Sequence, residues 1–215
     1  MPLGMKRQYK FGGGALVASG VLFAVLAFLN VRAGQPPSTG AEILLWRDAQ
    51  ALVLKFVSEV FFFATILLVP GTIALYQNLI DVDRTKAAAG CGIIGATIPV
   101  MAVMLVIHGR LVYPIYGMRV DTPEAATLVV MVFYGGLHVI YLLLAVATIV
   151  LSLAMSRGAH AKGIAYLGFI TAALDIIGSY PWAIGPGLTL VCELSFAGWF
   201  VAVGSQLFGV RGSAA

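Results

Sequence analysis

The chain has 215 residues, of which 60% are hydrophobic and only 10% are charged, and its mean hydropathy is +0.99. Soluble globular domains do not have this composition, so the sequence predicts an integral membrane protein. The formal net charge of +4 is assigned to basic loops facing anionic lipid headgroups, and no nucleic-acid partner is expected.

Six apolar segments are long enough to cross a bilayer as helices, since about 20 residues span a hydrocarbon core roughly 30 Å thick. They cover residues 13–31, 56–79, 87–107, 125–153, 163–184 and 187–209. The predicted fold is therefore all-α. It is a single domain over residues 1–215, a polytopic antiparallel bundle of six transmembrane helices.

The first segment follows Lys6, Arg7 and Lys10, as the apolar core of a signal peptide would. It is nearly 20 residues long by our boundaries and has no small-residue cleavage site before Arg32, so we expect it to be retained. An even number of spans places both termini on one side. Lys and Arg are more numerous in the loops of that side, which predicts cytoplasmic termini in a multi-pass protein of the cytoplasmic (inner) membrane.

The first outer loop, residues 32–55, begins with prolines and ends in an amphipathic stretch. Its Trp46 and Arg47 are suited to the membrane interface. In the second outer loop, Thr122 followed by Pro123 is a helix start signal that precedes the fourth span.

Three carboxylates lie inside the apolar segments: Glu59, Asp175 and Glu193. Ionisable groups at membrane depth are costly and usually face the bundle interior, where they bind or react. With a rise of about 1.5 Å per residue, Glu59 and Glu193 lie roughly 5–10 Å below the outer boundary, Asp175 about 13 Å and His138 about 20 Å. We therefore predict one outward-facing polar pocket, floored by His138, in which the three carboxylates are the candidate catalytic residues.

Polar side chains recur at helical spacing on four of the predicted spans. The predicted ligand-binding set consists of Lys55, Glu59, Tyr134, His138, Tyr141, Asp175, Ser179, Trp182 and Glu193. Purely structural alternatives stay open for several of them. Lys55 and Glu59 would form an intrahelical ion pair at the interface, Asp175 a hydrogen-bonding strut between helices, and His138 a satisfied core histidine.

Metal and cofactor binding have little support in the spacing. Haem with two histidine ligands is disfavoured because His108 lies at the outer end of its helix and His138 near mid-bilayer. Met104 shares a face with Met101 and His108, but a methionine stripe is more often core than a copper site. His108, Met104 and His138 are the remaining metal-ligand candidates, and no metal or cofactor is assigned.

The chain contains no Walker loop, no nucleophile elbow and no dinucleotide-binding glycine motif after a strand, so nucleotide hydrolysis is excluded. An enzyme would have to use a carboxyl donor and acceptor on a hydrophobic substrate, with aromatic rings steadying a carbocation. This alternative describes an intramembrane isomerase or terpenoid cyclase.

The run Ala74-Leu75-Tyr76-Gln77-Asn78-Leu79, followed by a short basic loop, resembles the junction of the second and third helices in the bacterial domain-of-unknown-function 4386 family. The stretch Lys162-Gly163-Ile164-Ala165-Tyr166-Leu167-Gly168, then Gly198-Trp199-Phe200 and Gly204, is similar to that family's last two helices. The resemblance implies a small six-helix membrane protein. It assigns no functional residue, because the family is uncharacterised.

The expected function is therefore the binding or transport of a small or lipophilic ligand. A second class is an accessory subunit of a larger membrane complex, or a homo-oligomer, in which partner helices cover the polar stripes. Small residues on the first span offer a docking face of the kind found in the substrate-binding subunits of vitamin uptake systems. They are Gly14, Ala15, Ala18, Ser19 and Gly20.

Overall fold

The computed structural model describes residues 3–157 and 162–209, and this part of the chain is built from seven α-helices without a β-strand. The all-α prediction is confirmed. The helices are α1 (Leu3–Ala33), α2 (Gly40–Ala49), α3 (Ala51–Leu79), α4 (Arg84–Val112), α5 (Pro123–Met155), α6 (Lys162–Gly178) and α7 (Pro186–Gly209).

Helix starts follow the local capping chemistry. The predicted start at Thr122 is confirmed, because the Thr122 side chain accepts a hydrogen bond from the Ala125 N–H and Pro123 is the first residue of α5. Thr39 caps α2 in the same way by accepting from the Glu42 N–H, and its hydroxyl donates to Glu42 Oε2 at 2.7 Å. The outer loop predicted over residues 32–55 thus contains a separate short helix, α2, and the start of α3.

Five helices are long and apolar enough to cross a membrane: Arg7–Ala33 of α1, α3, α4, α5 and α7. The chain is therefore a multi-pass membrane protein. The predicted fifth span, residues 163–184, corresponds to α6, which has 17 residues and ends at Gly178. Residues beyond it form turns up to Gly185 because Pro181 cannot donate a backbone hydrogen bond and Pro186 begins α7.

The six longer helices form a ring whose order follows the chain. Helix α1 packs on α3 and α7, and contacts between α3 and α4, α4 and α5, α5 and α6, and α6 and α7 complete the circle. Neighbours run antiparallel. Tyr9 near the start of α1 donates to the Gln77 carbonyl near the end of α3, and Asn30 near the end of α1 donates to Glu193 near the start of α7. The short α2 lies outside the ring, against α5 and α3.

The two ends of the ring differ, and we name them by the chain. The terminal end contains the start of α1 and the end of α7, and the distal end contains α2 and the connections 34–39 and 179–185. Near the terminal end the core is filled by large side chains such as Leu75, Leu79 and Trp199, none of them more than 1% exposed.

Small residues of α1 pack inside the chain. A Cβ added at Gly13 would lie 2.8 Å from the Gly204 carbonyl oxygen, and one added at Gly20 would lie 2.6 Å from the Ala197 carbonyl oxygen. The Ser19 hydroxyl donates to the Ala64 carbonyl at 2.8 Å. Most of the face that the sequence offered for docking a partner is therefore used to hold α1 against α3 and α7. Ala18 is the exposed member.

Candidate functional site

A cavity of about 130 Å³ lies inside the ring, in its distal half. Helices α1, α3, α4, α5 and α7 and the connection after α6 contribute to its wall. The exposed residues Gly34, Gln35 and Pro186 form part of the lining at the distal end, so the cavity reaches the loop surface there. Its inner end reaches the buried residues Met101 and Leu144.

One carboxyl belongs to the cavity wall. Glu193, in the second turn of α7, accepts a hydrogen bond of 3.1 Å at Oε1 from the side-chain amide of Asn30. Tyr141 of α5 lies beside the same carboxyl and interacts with it electrostatically. Three helices thus bring an amide, a carboxyl and a phenol to one side of the cavity.

The deeper wall is aromatic. Phe23, Phe61 and Phe196 come from three helices, and the ring centroids of Phe23 and Phe196 lie 5.1 Å apart at an interplanar angle of 71°. The Phe23 and Phe61 centroids are 6.4 Å apart. Edge-to-face contacts of this kind fix the rings and present a rigid apolar floor.

A second cavity of about 40 Å³ adjoins the first and shares Asn30, Phe133 and Tyr134 with it. Its wall includes His108, whose Nδ1 lies 2.7 Å from Ser58 Oγ. The His108 and Phe133 ring centroids are 4.8 Å apart. His108 therefore has both a polar partner and an aromatic neighbour within the bundle.

Lys55 and Glu59 lie outside the cavity, on the exposed face of α3. Tyr113, just after α4, joins them: its hydroxyl donates to Glu59 Oε1 at 2.8 Å, and the Lys55 ammonium lies 6.0 Å from the centre of its ring. Burial, and then the bond to Glu59, raise the pKa of Tyr113 to about 12. Instead of forming the intrahelical ion pair considered from the sequence, Lys55 and Glu59 both contact Tyr113.

His138 belongs to an aromatic cluster beside the cavity. Its Nδ1 lies 2.9 Å from the Ser179 carbonyl oxygen, and its ring centroid lies 4.8 Å from that of Tyr180 and 5.9 Å from that of Trp182. Leu137 and Tyr141 of the same helix line the cavity, but the His138 side chain is turned towards the connection after α6, where its three contacts lie. The predicted histidine floor is occupied instead by phenylalanines.

Asp175 of α6 is fully buried, and neither of its oxygens has a hydrogen-bond partner among the described residues. It is absent from the cavity wall, as is Ser179, whose hydroxyl donates to the Ile176 carbonyl at 2.8 Å. Trp182 is 60% exposed at the distal surface.

The structure thus brings three members of the predicted set together at the cavity: Tyr134, Tyr141 and Glu193. The remaining six lie elsewhere: Lys55, Glu59, His138, Asp175, Ser179 and Trp182. Sequence reasoning missed Asn30. The signal was available, because an amide inside an apolar helix has the same need for a polar partner as a carboxyl.

No protein-family model matches this chain, and no curated protein or solved structure matches it either. The resemblance to the domain-of-unknown-function 4386 family therefore stays a prediction.

Among residues 3–157 and 162–209, no three His, Cys, Asp or Glu side chains are grouped as metal ligands. The metal-ligand candidates lie in separate places. Met104 packs against Gly136, where a Cβ would overlap its sulfur, and His108 and His138 belong to the two clusters described above.

The cavity wall has the chemistry of a binding site for a mainly apolar molecule with one polar group. Acid–base catalysis requires a proton donor and an acceptor at the substrate. Of the three candidate catalytic carboxylates, Glu193 alone is in the described wall, with the Tyr141 hydroxyl beside it.

Proposed function

We propose that this protein binds or transports a small or lipophilic ligand in the distal cavity. The observation that carries the proposal is the Glu193–Asn30 pair on the wall of an otherwise largely apolar and aromatic cavity. Ligand sites are typically concave and apolar, with a few polar groups that fix orientation, and intramembrane ionisable residues usually serve such a role.

The proposal includes six crossings of the bacterial inner membrane, with both termini cytoplasmic. At about 1.5 Å per residue, the 17 residues of α6 extend roughly 25 Å, and the turns up to Gly185 add the remaining length. Antiparallel packing of α6 between α5 and α7 supports this path, and the distribution of Lys and Arg supports the orientation. The distal cavity then opens outward.

Native mass spectrometry of the protein extracted gently from its own membrane tests this function. We expect a discrete small-molecule adduct on the wild-type chain, whether monomeric or self-associated. The adduct should be lost in Glu193→Ala and retained in Glu59→Ala, because Glu59 has the same side chain outside the cavity. An adduct that survives Glu193→Ala would overturn the assignment of this cavity.

One observation favours a second function, that of an accessory subunit. Lys55, Glu59 and Tyr113 form a polar cluster on the exposed face of α3 beside the end of α4, and it offers further hydrogen-bonding groups to a partner helix. In that case the same spectra would show stoichiometric foreign subunits without an adduct. Glu59→Ala, and not Glu193→Ala, would release them.

A further inference from the structure

We infer that the ligand carries a protonated amine beside an apolar body about the size of a benzene ring, and that Glu193 is its counter-ion. This inference rests on the proposed function and adds the chemical class of the ligand.

The first support is the charge of the cavity wall. Within the described part of the chain, the wall contains Glu193 and no Lys, Arg or His. The ion pairs found between described residues involve other carboxylates, those of Asp48, Asp83 and Asp121. The Glu193 side chain thus has a neutral amide and a phenol as neighbours, and a cationic ligand would supply the counter-charge that stabilises its ionised form.

The second support is the aromatic wall. Ammonium groups are attracted to the faces of aromatic rings within about 6 Å of the centroid, and a carboxylate with aromatic rings is a common way to bind them. Tyr134 lines the cavity within electrostatic range of Glu193 and offers such a ring to the ammonium group, whereas Phe23, Phe61 and Phe196 surround the deeper part that takes the apolar body. A bare metal ion fits less well, because Ca²⁺ takes six or more oxygen ligands and this wall offers one carboxyl.

Size and depth define the remaining features. A cavity of about 130 Å³ is comparable to the engineered cavity of about 150 Å³ that accepts benzene. At about 1.5 Å per residue, Glu193 lies roughly 10 Å below the start of α7, and Phe196 a further 4–5 Å below it. The ammonium group therefore binds at Glu193 and the apolar body packs on the phenylalanines beneath.

The test compares benzylamine with benzyl alcohol, which has the same ring and no charge at neutral pH. Binding is measured by calorimetry on the full chain in nanodiscs, after subtraction of the heat from empty nanodiscs. We expect the wild-type protein to bind benzylamine at least about tenfold more tightly than benzyl alcohol, the order of magnitude of a close charge pair.

Three variants define the role of the carboxyl. Glu193→Gln keeps the shape and the acceptor for Asn30, and should remove the preference for the amine while changing benzyl alcohol affinity by less than about threefold. Glu193→Asp keeps the charge and should retain the preference. Glu59→Gln is the matched control outside the cavity and should behave as the wild type.

The outcomes separate the two proposals. Equal affinity for both probes, unchanged in Glu193→Gln, would overturn the amine class and leave a pocket for neutral lipophilic ligands. If neither probe binds and the native spectra show no adduct, the pocket itself is overturned as well. A thermal unfolding midpoint of Glu193→Gln close to that of the wild type shows that lost binding is not lost folding.

Discussion

Helices α1 and α7 contact each other in both halves of the bundle, but the contact changes character. Towards the terminal end Gly13 lies against Gly204, and Gly20 against the Ala197 carbonyl, so the backbones themselves meet. Towards the distal end the same helices are joined through the long side chains of Asn30 and Glu193, which interact at 3.1 Å beside the cavity. Small residues thus let α1 and α7 pack tightly in the terminal half, whereas long polar side chains line the cavity between them in the distal half.

The comparison shows how one pair of helices can serve both structure and binding. In a membrane, helices associate through van der Waals packing and interhelical hydrogen bonds, and small residues permit the closest approach. Where the side chains are long, the backbones do not meet and a space remains. We name the glycine-lined contact of α1 with α7 the seam, and the following predictions compare it with the cavity.

The largest effect is expected from Gly204→Ala in the seam. The new Cβ would lie 2.6 Å from the Gly13 carbonyl oxygen and 2.8 Å from the Val17 nitrogen, so two backbones must move apart. We expect a loss of about 1–3 kcal/mol or more in unfolding free energy, measured by denaturant titration in detergent.

Gly198→Ala, on the open side of α7, is the control, because a Cβ there meets no atom within 4 Å. It should be neutral or stabilise the helix by up to about 1 kcal/mol. Equal losses in the two variants would mean that the seam is not a close contact.

Asp175→Leu should raise the stability of the distal half. Asp175 is fully buried, and both of its oxygens lack a hydrogen-bond partner among the described residues. Replacing an unsatisfied buried carboxyl by an apolar group should gain about 1–3 kcal/mol in the same titration. Asp175→Asn, which keeps a polar group in place, should gain little. A loss of stability in Asp175→Leu would instead identify a bound partner for this carboxyl.

Filling the cavity should cost little stability and remove binding. Leu26 lines the cavity, and Leu26→Phe adds volume where space exists, so we expect the unfolding free energy to change by no more than about 1 kcal/mol. The adduct in native spectra should disappear. Gly20→Ala adds a smaller group on the same helix in the seam and should be more destabilising, and the reverse order would contradict the division of the bundle.

The smallest effect concerns acid and the attachment of α2. Arg47 is buried, and it donates a hydrogen bond of 2.9 Å to Asp48 and another to the Val120 carbonyl, which ties α2 to the loop before α5. The pKa of the Asp48 carboxyl is lowered, chiefly by the hydrogen bond that it accepts from Arg47. Because this pKa is lower in the folded protein than in the unfolded chain, the ionised carboxyl stabilises the fold at pH values above the unfolded-state pKa of about 3.9. That stabilisation is lost as the pH falls through the folded-state pKa.

We therefore expect amide exchange in α2 to increase below about pH 4, relative to exchange in the seam. Asp48→Asn should make exchange in α2 less dependent on pH in this range. Unchanged protection of α2 in the wild type at that pH would contradict the contribution of Asp48.

The sequence predicted how deep each carboxyl group lies better than it predicted which way its side chain points. The rule that intramembrane carboxyls face the interior treats Glu59 and Glu193 alike, since both lie a few residues from a helix start. In the structure Glu193 faces the cavity, whereas Glu59 faces outward and accepts a hydrogen bond from Tyr113. That partner follows α4, 54 residues along the chain, so spacing within α3 could not identify it.

Local chemistry determined several features by itself. Composition gave the membrane class, apolar length gave most of the spans, and Thr122 with Pro123 fixed the start of α5, because each depends on residues near one another in the chain. The tertiary structure alone decided which helix faces meet, and with them the cavity, the partnership of Asn30 with Glu193 and the separation of His138 from the wall. The physical reason is that the rotation of a helix about its axis is fixed by the surfaces of its neighbours, and here the glycines of the seam contribute to setting it.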